Sequence, residues 1–349
     1  MTLFIDVNTL TNLISKVGLP NFMQQLLDYM QSDFKKWEQF DKSARTAAHS
    51  SEGVIELMPI ADQQQYSFKY VNGHPNNPKN GYSTVMAFGA FADVASGYPL
   101  LLSELTLATA IRTAVTSVMA AKALAKPKVD VMAMIGSGAQ SEFQAIAFHC
   151  LMGVNTLRIF DIDSKAMDKL ELHLKQYPKL TVIRCKNAEH CCQDADIITT
   201  VTADKNFATI LTADMVSPGV HINGVGGDCP GKTEISAELL TLGKIFVEHE
   251  PQTRVEGDIQ QLPPEHPVNA IWQVIAGKIK GRDNLQQITI FDSVGFALED
   301  FSTLRYLYDL ATQFEIGERV ELVPSLSNPK DLFGLINASG AINNASVCA

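Results

Sequence analysis

The chain has 349 residues, 46% of them hydrophobic and 19% charged, a balance that excludes a disordered polymer and allows a sizeable core. At about 150 residues per domain, the length predicts roughly two domains. The net charge of −10 argues against a nucleic-acid partner, because neutralising phosphates needs a surplus of cations.

Met1 to Leu10 carries Asp6 and no basic start, unlike a secretory signal. No run approaches the ~18 uninterrupted apolar residues of a membrane span. No membrane partner is expected, and a cytoplasmic setting is. The six cysteines have neither zinc-type nor disulfide-framework spacing. The adjacent Cys191 and Cys192 read as inert helical thiols, with a redox switch as the lesser alternative. The eight histidines form no ligand cluster, so no metal is expected.

In chain order, Leu10 to Gln39 has helical spacing, broken near Gly18-Leu19-Pro20. Strand-like runs follow at Gly53 to Met58, Tyr66 to Val71 and Thr84 to Phe91, separated by turn signals, and they predict an antiparallel sheet. A long helix is expected from Leu105 to Ala125, ended by Pro127. From Val131 onward the pattern changes to alternating strands and helices. Strands are expected at Val131–Ile135, Thr156–Asp161, Leu180–Arg184, Asp196–Val201, Val220–Asn223, Lys244–Val247 and Ile288–Phe291. That alternation means an α/β doubly wound parallel sheet. A helix at Leu298–Phe314 and a β-type run at Arg319–Val323 close the chain, before a low-complexity tail at 337–349. If the last strand returns to the first sheet, the nucleotide domain is inserted: 1–128 plus 318–349 form an α+β substrate-binding and dimerisation domain around a Rossmann-type domain at 129–317.

The sharpest local signal is Gly136-Ser137-Gly138-Ala139-Gln140-Ser141 between a strand and a helix, with Asp161 ending the next strand, 25 positions after Gly136. Gly136 permits the tight turn, Gly138 lets a pyrophosphate approach the backbone, and the helix N-terminus faces that anion. Ser141 replaces the third glycine and should loosen helix–strand packing slightly. Asp161 should accept from ribose hydroxyls and repel a 2′-phosphate, which favours NAD over NADP.

Three cations stand in apolar or small-residue surroundings: Arg45, Lys69 and Arg112. A buried cation needs an anionic partner. Beside a nucleotide domain, the three read as a clamp for a small carboxylate. The loop Gly224-Val225-Gly226-Gly227-Asp228-Cys229-Pro230-Gly231-Lys232 follows a strand of the parallel sheet, so it lies at the carboxyl edge where ligands bind. Its glycines let the backbone crowd a ligand, and Asp228 is placed for acid/base work. Glu56 alternates with apolar neighbours; it faces either solvent or the site as a second proton-transfer carboxylate.

These stretches, with Phe40–Arg45, Val54–Pro59, Phe68–Pro75, Leu102–Thr106, Asp196–Asp204, Glu250–Arg254 and Phe291–Asp300, resemble the ornithine cyclodeaminase/μ-crystallin family, in its cyclodeaminase branch, over about 1–336. The resemblance implies a homodimer in which strands of two subunits close a barrel, and a tightly held NAD regenerated in each turnover. It implies substrate contacts at Arg45, Lys69, Arg112 and Val294. It implies NAD contacts at Thr84, Arg112, Ala139, Gln140, Asp161, Thr202, Val225, Gly226, Gly227, Asp228, Lys232 and Ser293. Asp228 matches the catalytic acid/base. The implied activity is an ammonia-lyase one: L-ornithine gives L-proline and ammonia by hydride abstraction from Cα, intramolecular cyclisation, ammonia loss and hydride return. A ketimine or imino-acid reductase, a lysine cyclodeaminase and a non-enzymatic NAD(H)-binding protein are the alternatives.

Overall fold

The computed structural model describes residues 1–202 and 207–338; Asp204 and 339–349, including Cys348 and most of the expected tail, lie outside the described residues. The chain begins with β1 (Thr2–Ile5), α1 (Val7–Val17) and α2 (Leu19–Lys35). Gly18 separates the two helices at φ +82°, a conformation that glycine adopts at little cost. Strands β2 (Asp41–Lys42), β3 (Thr46–His49), β4 (Val54–Ala61), β5 (Gln65–Gly73), β6 (Val85–Asp93) and β7 (Pro99–Glu104) lead into α3 (Thr106–Leu124).

The second half runs β8 (Val131–Ile135), α4 (Ser141–Met152), β9 (Thr156–Phe160), α5 (Ser164–Leu174), β10 (Thr181–Arg184), α6 (Ala188–Cys192), β11 (Ile197–Thr200), β12 (Phe207–Leu211), β13 (His221–Gly224), β14 (Thr233–Ile235), α7 (Ala237–Leu242), β15 (Lys244–Val247), α8 (Glu250–Glu256), β16 (Asn269–Ala270), α9 (Ile271–Ile275) and β17 (Thr289–Asp292). It ends with α10 (Ala297–Phe314), β18 (Glu318–Val320) and α11 (Phe333–Ala338).

Two large sheets result. The first is ordered β18-β1-β7-β6-β5-β4-β2, with β3 also pairing β4. It is antiparallel except where β1 runs parallel to β7, a pairing that the sequence, with neither strand expected, did not reveal. β18 does return to this sheet, antiparallel to β1. The second sheet, β10-β9-β8-β11-β13-β17-β15-β16, is parallel throughout. Its order reverses between β8 and β11, and that switch point opens a crevice at the carboxyl ends of the strands.

α3 joins the two halves. Its residues are buried on nearly every side, as an all-round apolar helix should be. It is the helix among the described residues that is long and apolar enough to cross a membrane, yet most of it lies inside the protein. It packs against α2 and α4 and touches β6, β13 and β17. Gln144 Nε2 of α4 donates to Ser117 Oγ of α3 at 3.1 Å. Ser141 is buried and donates its hydroxyl to Gly138 O at 2.7 Å, which closes the turn.

One boundary shifts. α10, placed by sequence in the nucleotide unit, packs on β4 to β7 and against α2 and α3. The chain crosses back to the first sheet directly after β17, ahead of the expected 318. The reason is burial: Leu298, Phe301, Leu304 and Leu307 are almost fully covered and join the core beneath that sheet. Cys191 and Cys192 are also buried, and burial pushes both thiols up, the opposite of what makes a thiol reactive.

Candidate active site

The crevice is built from strand ends. Gly136 leaves β8 at φ +108°, and a Cβ there would lie 2.6 Å from Val201 O, so only glycine fits. A Cβ at Gly138 would meet nothing within 4 Å, which leaves that backbone open to a ligand. Ala139 and Gln140 form the turn before α4, whose first turn has no side-chain cap. Its N–H groups and dipole are left to face an anion. Ser137 Oγ and Gln140 Oε1 are buried without a hydrogen-bond partner. Asp161, just past β9, accepts from Ser137 N at 2.6 Å and Asp163 N at 2.8 Å, which fixes its carboxylate and leaves lone pairs for other donors. A dinucleotide fits these groups. Ile162, beside Asp161, is 96% exposed and offers an apolar surface there.

The glycine loop after β13 is tighter than the sequence suggested. Cβ atoms at Gly224, Gly226 and Gly227 would lie 2.9 Å from Ile235 Cδ1, 2.2 Å from Glu234 Oε1 and 3.0 Å from Asp258 Oδ2. These glycines make room for the protein's own buried groups before any ligand. Val225 N donates to Thr200 O at 3.0 Å. Thr202 and Gly226 both donate to Glu234. Asp228 is exposed at the loop tip, 3.1 Å from the Lys232 ammonium. Burial disfavours the Lys232 charge, but Asp228 and Glu234 outweigh it and raise the lysine's pKa.

The three predicted cations do converge, but not as a bare clamp. Arg45 Nη1 binds Glu56 at 2.8 Å, Nη2 donates to Val294 O and Gly295 O at 2.7 Å each, and Nε lies 3.2 Å from Glu256. A guanidinium has five N–H groups, so Arg45 has no free fork for a bidentate carboxylate. Glu56 is thus buried on Arg45, not turned to solvent. Lys69 of β5 meets Asp300 Oδ2 at 2.7 Å. Arg112 of α3 meets Asp300 Oδ1 through Nε at 3.2 Å and Glu299 through Nη1 at 2.6 Å, leaving Nη2 outside both pairs. Gly295, at φ +75°, lets the chain pass the guanidinium: a Cβ there would lie 3.0 Å from Arg112 Nη1. Ser293 Oγ donates to Glu248 Oε1 at 2.7 Å. Thr84 stands apart; its carbonyl accepts from His74 N at 2.9 Å ahead of β6.

The sequence reading therefore missed the acids: Glu248, Glu256, Glu299 and Asp300. With Glu56 they make five buried carboxyls around three cations whose side chains are largely covered. Burial dominates the protonation of Glu248, Glu256 and Glu299. It lifts Glu256 to about 7, with Arg45 opposing and Glu56 adding. It lifts Glu299 to about 8, against Arg112 and with Glu248. Burial also holds Lys69 down at about 8, with Arg112 adding to the effect and Asp300 opposing it. The signal for Glu299-Asp300 was two adjacent acids set between Ala297-Leu298 and Phe301. Acids are also ordinary in a helix's first turn, which hid them.

A doubly wound parallel sheet, with a glycine turn after its first strand and an acid after its second, defines a Rossmann-type nucleotide-binding protein. The sequence matches the Ornithine cyclodeaminase/mu-crystallin family over residues 7–315, and the chain belongs to that family. It is 53% identical to the ornithine cyclodeaminase of Brucella suis biovar 1 over 333 residues, covering 95% of this chain and 93% of that one. A lysine cyclodeaminase structure, solved for recognition of L-lysine, L-ornithine and L-2,4-diaminobutyric acid, superposes with a TM-score of 0.90 at 25% identity, over 96% of this chain and 99% of that one. An archaeal alanine dehydrogenase dimer with bound NAD superposes with a TM-score of 0.84 at 28% identity, over 92% and 99% of the two chains.

Asp300 is shared by two buried cations, and removing one partner from a buried pair typically costs about 3–5 kcal/mol. Asp300→Asn should lose stability in that range by urea unfolding. Unfolding at the wild-type midpoint would contradict the shared pair.

Proposed function

We propose that the chain is an NAD-dependent ornithine cyclodeaminase, converting L-ornithine to L-proline and ammonia. The observation that carries this reading is the charge pattern beside the crevice: three largely covered cations and five buried carboxyls. Ornithine has one carboxylate and two amines, so a site richer in acids than in cations complements it. Glu248 Oε2 and Glu299 Oε1 are buried acceptors without a hydrogen-bond partner, suited to ammonium donors. The 53% identity to the Brucella enzyme supports the same substrate.

NAD would lie against Gly136, Gly138, Ala139 and Gln140, with Asp161 on its ribose and Thr202, Val225 to Asp228, Lys232 and Ser293 along the crevice. Thr84 is retained as a contact on the resemblance alone. When bound, NAD supplies a reversible hydride acceptor for the substrate's Cα. Arg112 Nη2 and Lys69 Nζ receive the α-carboxylate, and Val294 walls the substrate. Arg45 orders Glu56, Glu256 and the 294–295 backbone, leaving no bidentate fork for the substrate. Holding ornithine curled brings its δ-amine to the α-carbon. Asp228, at the exposed loop tip, moves protons on and off the amine nitrogens, which must be neutral to react. Glu56 keeps Arg45 in place and is the second candidate for proton transfer.

We also propose a homodimer through the first sheet, with 1–128 and 297–338 as one unit around the nucleotide unit. Ile55, Leu57, Met86 and Phe88 on β4 and β6 are 38–43% exposed. Leu57, Tyr70 and Phe88 are direct cross-strand neighbours. Such a contiguous apolar face suits burial against a second copy. A cytoplasmic setting accords with this activity.

The test is to incubate the enzyme with ornithine and with lysine separately, without added reductant, and analyse the products. Proline with equal ammonia from ornithine is expected; conversion of a cyclic imine only with added NADH would instead mark an imino-acid reductase. Asp228→Asn should nearly abolish proline formation while NAD stays bound, and a near-wild-type rate would reject its role. Because Lys69 sheds its proton as pH rises through about 8, L-proline should bind more weakly above that pH. Lys69→Met should flatten the profile; an unchanged pH step in that variant would assign the effect elsewhere.

A further inference from the structure

Three buried carboxyls, Glu234, Asp258 and Asp292, lie beneath the glycine loop; none of them forms a salt bridge among the described residues, though the Lys232 charge acts on the first two. All are 1% exposed or less. Their partners are amide and hydroxyl donors from separate strand ends. Glu234 Oε1 accepts from Thr202 N at 2.8 Å and from the Thr202 hydroxyl, and Oε2 accepts from Gly226 N at 2.9 Å. One side chain thus ties the end of β11 to the turn after β13. Glu234 is itself held: Asp258 Oδ1 accepts from Glu234 N at 2.7 Å and Ile235 N at 2.9 Å. Asp292, the last residue of β17, accepts from Asp258 N at 3.0 Å and Ile259 N at 2.9 Å. The relay ends next to Ser293 and Val294.

Only a carboxylate can do this at position 234. It accepts at both oxygens, whereas an amide of the same shape accepts at one end and donates at the other. The fit is mutual, because a Cβ at Gly226 would lie 2.2 to 2.4 Å from the Glu234 carboxyl atoms. Burying a carboxyl that makes no ion pair is costly; burial raises the pKa of Glu234 even though the Thr202 hydrogen bonds and the nearby Lys232 charge pull it down.

We infer that Glu234 is a positioning residue, which sets Thr202 for the cofactor and the Gly226–Asp228 turn for proton transfer in one joint geometry. This rests on the cyclodeaminase reading for its kinetic half; its NAD-binding half does not depend on which substrate is turned over. The residues assigned to the substrate carboxylate, Lys69 and Arg112, lie outside the relay.

Glu234→Gln puts an N–H against an N–H in one of the two loops. Calorimetric titration with NAD should show a Kd raised about tenfold or more, and steady-state turnover of ornithine a kcat lowered about tenfold or more, the size of one mispaired buried group. KM for ornithine should stay within about twofold of wild type. Glu234→Asp keeps the charge but is too short to span both loops; it should shift both quantities in the same direction by less, and it carries the test if the glutamine variant does not fold. NAD affinity and kcat per folded molecule near wild type in a folded variant, with only the yield or melting temperature reduced, would overturn the inference. Wild-type protein that binds NAD but makes no proline would fail the functional reading instead, and the NAD titration would still judge Glu234.

Discussion

The site depends on sharing: Asp300 neutralises two buried cations, Lys69 and Arg112, from different elements. Lys69 comes from the first sheet, Arg112 from α3, and Asp300 from α10. None of these charges is tolerable alone in the interior. Together they fix where β5, α3 and α10 meet. That meeting point lies where the chain crosses back from the parallel sheet, so the ion cluster is held against the nucleotide crevice. Arg45 repeats the arrangement from another loop, joining Glu56 of β4 to Glu256 of α8 and to the 294–295 backbone.

The cluster also explains how a strongly acidic chain takes an amino-acid substrate. The cations are not idle charges awaiting a carboxylate; most of their donors are already engaged. What remains is a few donors on Arg112 and Lys69, and unpartnered carboxyl oxygens on Glu248 and Glu299. A zwitterion with an extra amine satisfies both kinds of group. The crevice obeys a related rule. Its glycines at 224, 226 and 227 are needed because Ile235, Glu234 and Asp258 press against the same loop.

Much of the architecture was legible in the sequence because periodicity and turn chemistry are local. The strand–glycine–helix turn at Gly136, the acid at Asp161 and the three lone cations each stood out against apolar surroundings. The return of β18 could be anticipated from a single β-type run. What escaped was non-local. β1 and β7 are short, and their parallel pairing joins residues about a hundred positions apart. The packing of α10 on the first sheet depends on which face meets which core, which its own pattern does not encode. The carboxyl partners were hidden because a buried ion pair is a property of two distant residues. Glu256 and Asp300 look ordinary until Arg45, Lys69 and Arg112 are placed beside them.

The most direct test of this account is a crystal structure of the protein with NAD and L-proline bound. The carboxylate should lie within hydrogen-bond distance, about 3.2 Å or less, of Arg112 Nη2 and Lys69 Nζ, with Arg45 still bridging Glu56 and the 294–295 carbonyls. A proline carboxylate held elsewhere, with all three cations still confined to their acid partners, would contradict it.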